Sequence, residues 1–156
     1  MANVVPLPSP ATTTSPRKGL RVALWIVQAL LAASFALSGL MKTTTPIAEL
    51  ATRMSFVPIL GAGVTRFIGV AELAGALGLI LPALTRVLPG LTALAATGLV
   101  TVMALAAGFH VLHGEWSFLP VNVVLGGLAS FVAWGRFRAA PIAARGATAP
   151  SSAATA

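Results

Sequence analysis

The chain has 156 residues, of which 57% are hydrophobic and 8% charged, with a formal net charge of +7, no cysteine and a mean hydropathy of +0.94. Soluble domains average about 45–50% apolar and 25% charged residues, so this composition excludes a soluble globular fold and indicates an integral membrane protein. Nor does the positive charge indicate nucleic acid, because the basic residues border apolar runs and have no aromatic platform between them.

Residues 1–19 are rich in Pro, Thr and Ser, lack the apolar content to order themselves, and are expected to form a tail. Val22 to Met41 then carries no charge. About 20 residues at 1.5 Å rise match a hydrocarbon core of roughly 30 Å, which predicts a first span over residues 21–41. The same region, with basic residues ahead of it and the small string Ala33-Ser34-Phe35-Ala36, also fits a cleavable signal peptide. The apolar run continues past any such cleavage site, however, whereas the apolar part of a signal is typically about 7–15 residues.

Beyond the first span, Thr45 is placed to cap a helix with Pro46 in its first turn. Ile47, Leu50, Ala51 and Met54 follow at helical spacing, predicting a short amphipathic helix on the membrane surface, ended by Pro58 and Gly61. Phe67 to Thr85 holds a single acid, Glu72, and predicts a second span over residues 66–84. The tight link from Pro82 to Pro89 turns the chain back into a third uncharged run, with a span over residues 88–110. Trp116 to Gly135 predicts a fourth over residues 118–136, and the Ala-rich residues 139–156 a second tail. None of the runs alternates strictly, and each is about twice the length a tilted strand needs, so the fold class is all-α: a four-helix membrane bundle.

The basic residues orient it. Arg17, Lys18, Arg21, Arg86, Arg136, Arg138 and Arg145 fall on the side of both termini, against Lys42, Arg53 and Arg66 on the other. The positive-inside rule then places both termini in the cytoplasm. Trp25, Trp116 and Trp134 lie near span ends as interfacial anchors. Small residues four apart (Ala71 and Gly75, Ala74 and Gly78, Ala104 and Gly108, Gly126 and Ser130) mark helix-packing seams, one of which is also available to a second copy.

Chemistry concentrates toward the outer leaflet. Glu72 lies about six residues past Arg66, roughly 9 Å along the helix, where a carboxylate is costly and counts as a functional candidate. The topology brings Lys42, Arg66, His110 and Asn122 to the same level, with Ser38 one turn before Lys42. Two readings compete. In one, Glu72 pairs with Lys42 or Arg66 and with Asn122 in a network that sets helix register. In the other, Glu72 exchanges protons or binds the head group of a membrane-soluble ligand such as a quinone. His110, His113 and Glu115 form an H-x-x-H-x-E string of metal-ligand types, but the spacing is common and no cysteine or further histidine completes a site. Solvated interface residues, or His110 alone joining the polar cluster, are the competing readings. No covalently held cofactor is expected. With three acids, no phosphate loop and no nucleophile elbow, catalysis would need a partner protein.

The order of these features resembles DoxX-like membrane proteins. The likeness rests on Ser38-Gly39-Leu40-Met41-Lys42, on Arg66-Phe67-Ile68-Gly69-Val70-Ala71-Glu72-Leu73-Ala74-Gly75 with Leu81-Pro82 at the helix end, on His110 closing the third span and on Asn122 early in the fourth, over residues 20–138. It implies a bundle in a bacterial cytoplasmic membrane and a subunit or accessory protein of a quinone-linked redox complex. It also implies that Lys42, Glu72 and Asn122 match the family's polar positions. A non-catalytic scaffold or assembly factor and a small proton-coupled transporter are the alternatives, the last weakened by the absence of an inverted repeat.

Overall fold

The computed structural model describes residues 16–146 and is all-helical over them. The expected tail segments at 1–15 and 147–156 lie outside the described residues. Four long helices run up and down: α1 (Pro16–Thr44), α3 (Phe56–Thr85), α4 (Gly90–Leu112) and α5 (Leu119–Trp134). The short α2 (Ile47–Arg53) joins α1 to α3, and a 3-10 turn at Trp116–Phe118 leads into α5, which ends in a π-helical turn at Gly135–Ala139. Stretches of 23 to 30 residues with mean hydropathy between 1.6 and 2.0 make all four long elements able to cross a bilayer. Their surfaces are apolar, with Leu37, Phe67, Leu105 and Leu112 among the exposed side chains, as a lipid-facing bundle requires.

The basal end, where the described chain begins and ends, is close-packed; the distal end, which carries α2, is not. The core runs through Leu24, Leu31 and Phe35 on α1, Ala76 and Leu79 on α3, Ala96, Leu99 and Met103 on α4, and Ala129 and Val132 on α5. Most of it lies basal to the polar residues. Small residues bring the helices together. A Cβ on Gly39 would stand 2.7 Å from the Gly69 carbonyl oxygen, so the α1 and α3 backbones touch with no room for a side chain. Gly75 receives Leu99 and Gly78 receives Ala95, closing α3 on α4 near their hairpin. At the other end of the pair, Phe56 of α3 meets Phe109 of α4 edge to face at 6.4 Å.

Three local expectations are corrected. Helix α1 reaches back to Pro16, into the segment expected to be a tail. Pro46, not Thr45, is the N-cap of α2, and no side chain caps it. The helix ends at Met54, which turns extended (φ −131°, ψ 111°), while Leu50 buries its apolar face. Pro58 ends nothing: it occupies the first turn of α3, where a missing N–H costs no helical bond. Gly61 interrupts α3 with φ 79° and ψ 172°, a conformation open to glycine alone, and the helix resumes beyond it.

Candidate functional site

At the distal end, Glu72 projects from the second turn past Arg66 on α3 and is 2% exposed. Lys42, 7% exposed, meets it from the last turn of α1. The Lys42 ammonium donates to both carboxylate oxygens at 2.8 Å and to Ser38 Oγ at 2.6 Å, which uses all three of its protons. This ion pair is made possible by the Gly39–Gly69 approach, since a Cβ on Gly69 would fall 2.8 Å from Lys42 Cβ. Arg66 does not pair with Glu72. Its guanidinium donates instead to the carbonyls of Lys42 and Thr45 (2.8 Å for Thr45), closing two of the C-terminal acceptors that α1 leaves open.

These groups border a cavity of about 590 Å³ among the four long helices, within the range of ligand pockets of roughly 300–1,000 Å³. Ser38, Lys42 and Glu72 form part of its wall, with Asn122 and His110 from α5 and α4. Its remaining lining is apolar, and Phe67, Leu105 and Val121 both line it and are exposed on the bundle's surface, so the cavity opens toward lipid. Asn122 is 7% exposed and its Nδ2 has no hydrogen-bond partner. Burying an amide nitrogen unpaired costs about 1–3 kcal/mol, and it does so here at a residue that lines the cavity.

His110 Nδ1 lies 2.6 Å from Glu115 Oε2, and its ring stacks on Phe118 at 4.9 Å. The Ser55 hydroxyl and then the His110 ring hold the Glu115 carboxyl below its ordinary range. An ionised carboxylate can only accept, so Nδ1 donates to Glu115. His113 turns elsewhere: its Nδ1 bonds the Phe109 carbonyl at 2.8 Å and its ring stacks on Phe109. The H-x-x-H-x-E string therefore resolves into a His–Glu pair and a separate histidine, and among the described residues no three His, Cys, Asp or Glu side chains converge on a metal position.

The model of the DoxX-like family matches residues 26–132. The chain belongs to the DoxX-like family. No curated protein and no solved structure matches it. The matched segment of this DoxX-like protein contains the whole distal cluster, from Ser38 through Asn122. Of the six polar residues singled out in sequence, five line the cavity, and Arg66 braces α1 beside it. The pairing of Glu72 with Asn122 that the sequence admits is not formed.

Sequence reasoning missed a second polar group at the basal end. Gln28, wholly buried, donates Nε2 to the Leu79 carbonyl at 2.7 Å and accepts from Arg136 Nε at 2.5 Å. Arg136, read as a topology marker, is 6% exposed. The available signal was Gln28 itself, a polar side chain in the middle of an apolar run.

Proposed function

We propose that this DoxX-like membrane protein binds the head group of a membrane-soluble quinone in its distal cavity and serves as a subunit or accessory protein of a quinone-linked redox complex. The observation that carries the reading is the unpartnered Nδ2 of Asn122, a residue that lines a lipid-open cavity together with the Lys42–Glu72 pair. A quinone oxygen accepts from Asn122, and the His110 ring, which also lines the cavity, offers a second hydrogen bond to the head group. Apolar lining residues such as Phe35, Ile68 and Leu125 suit the ring and the start of an isoprenoid tail. Glu115, with a side chain 21% exposed, connects His110 to the aqueous surface and gives protons a route out. The positive-inside distribution supports an orientation with this end outward and both termini in the cytoplasm, and a bacterial inner membrane is part of the same proposal.

A second reading is favoured by one fact: Lys42 and Glu72 satisfy each other and Ser38, and Arg66 braces the same helix end, as a register-fixing network in a scaffold would. Gentle purification in lipid nanodiscs, followed by solvent extraction and identification of co-purifying proteins, separates the two. Near-stoichiometric isoprenoid quinone or a redox partner supports quinone binding; a protein with neither supports the scaffold.

A further inference from the structure

The basal end holds a buried cation without an anion. Arg136 sits in the π-helical turn after α5, with its guanidinium 5.3 Å from the centroid of the Trp25 ring. Its Nε donates to Gln28, whose amide is then spent on α3; Nη1 reaches only the Ala140 carbonyl, at 3.4 Å; Nη2 is buried with no partner. None of these neighbours carries negative charge. The three acidic residues of the sequence, Glu49, Glu72 and Glu115, all belong to the distal end, where they pair with Arg53, Lys42 and His110. Around Arg136 the charges are of one sign. Arg21 is near enough to repel it, and the Arg145 amide donates to the Arg86 carbonyl at 3.0 Å, folding another cationic residue onto this end. Thr92, in the first turn of α4 at the same end, is buried with its hydroxyl also unpartnered.

Removing a guanidinium from water without a counter-ion costs several kcal/mol, more than a cation–π contact of up to about 2 kcal/mol returns. At the border of a span the anion within reach is a lipid phosphate, and Trp25 and Trp134 mark this end as head-group depth. The planar fork of arginine matches phosphate oxygens in pairs. We propose that Arg136, with Arg21 beside it, binds the phosphodiester head group of an anionic phospholipid, which supplies the counter-ion missing there among the described residues. Past Ala140 the described chain is exposed at Pro141 and from Ala143 to Gly146. A head group enters by displacing the one long contact to Ala140.

The test is thermal unfolding and native mass spectrometry of the full chain in neutral detergent, titrated with phosphatidylglycerol, phosphatidylcholine or inorganic phosphate. Phosphatidylglycerol should raise the midpoint saturably and remain bound in the gas phase, while phosphatidylcholine does neither. Arg21→Gln and Arg136→Lys should each weaken phosphatidylglycerol binding by about tenfold or more, one charge-assisted hydrogen bond. Arg86→Gln should leave it within about twofold, as expected of an exposed charge. Arg136→Lys keeps the charge and serves where Arg136→Gln fails to fold. Equal stabilisation by phosphatidylcholine overturns the site, and an equal shift with millimolar phosphate overturns its assignment to lipid. Loss on Arg86→Gln with Arg21→Gln and Arg136→Lys unaffected also overturns it, since binding is then a diffuse charge effect.

Discussion

Replacing Lys42 by Met removes the only cation touching Glu72, whose side chain is 3% exposed. Both Glu72 oxygens lose their 2.8 Å partners at once, and no other donor reaches them. Stripping one member from a buried ion pair typically costs about 3–5 kcal/mol, because the survivor stays uncompensated, whereas replacing both with apolar residues of similar volume is often close to neutral. Lys42→Met alone is therefore expected to destabilise by about 3–5 kcal/mol, and Lys42→Met with Glu72→Met to recover most of that loss, a coupling of at least about 2 kcal/mol. Reversible unfolding in mixed micelles, followed by helical circular dichroism against the fraction of denaturing detergent, measures all four corners of the cycle. Additive single effects, or a single loss below about 1 kcal/mol, would refute the pairing and the burial on which it rests.

Glycine substitutions test the α1–α3 contact. Gly39→Ala, pressing a methyl against a backbone carbonyl, should cost about 1–3 kcal/mol, while Gly98→Ala, with open space around it, should be neutral or gain up to about 1 kcal/mol in the same unfolding assay. Arg66→Lys keeps the charge but loses the fork that spans the Lys42 and Thr45 carbonyls; a loss of about 1–2 kcal/mol is expected, read as the midpoint of thermal unfolding. Acid should act through Glu115. Its folded value lies below the ordinary 4.5, so its contribution is present above that value and disappears as pH falls through the lowered one. Stability of Glu115→Gln against pH should be flatter in that window than wild type, and identical slopes would remove the Ser55 and His110 contacts from the account.

What could be read in the sequence follows from how each feature is encoded. Four spans were legible because uncharged runs of bilayer length are a local property. Lys42, Glu72 and Asn122 stood out because polar groups in or beside such runs are costly, and α1, which carries Lys42, is an antiparallel neighbour of both α3 and α5. The partner of Arg66 was not legible: guanidinium and carboxylate sit on one helix, but the choice between Glu72 and the end of α1 depends on how closely Gly39 and Gly69 let the helices approach. Pro58 misled because proline means opposite things inside a helix and in its first turn. Arg136 misled because a cation after a span carries the same topology signal whether it is solvated or folded back onto Gln28. The cavity itself has no local signature, being lined by residues from four helices far apart in sequence.

Titration of the purified protein in nanodiscs with a short-chain ubiquinone, in wild type and Asn122→Ala, tests the central claim most directly. The account predicts saturable binding to wild type, weakened about tenfold or more when the Asn122 amide is removed, with helical content unchanged. Absence of binding to wild type, or equal affinity in the two proteins, would contradict it.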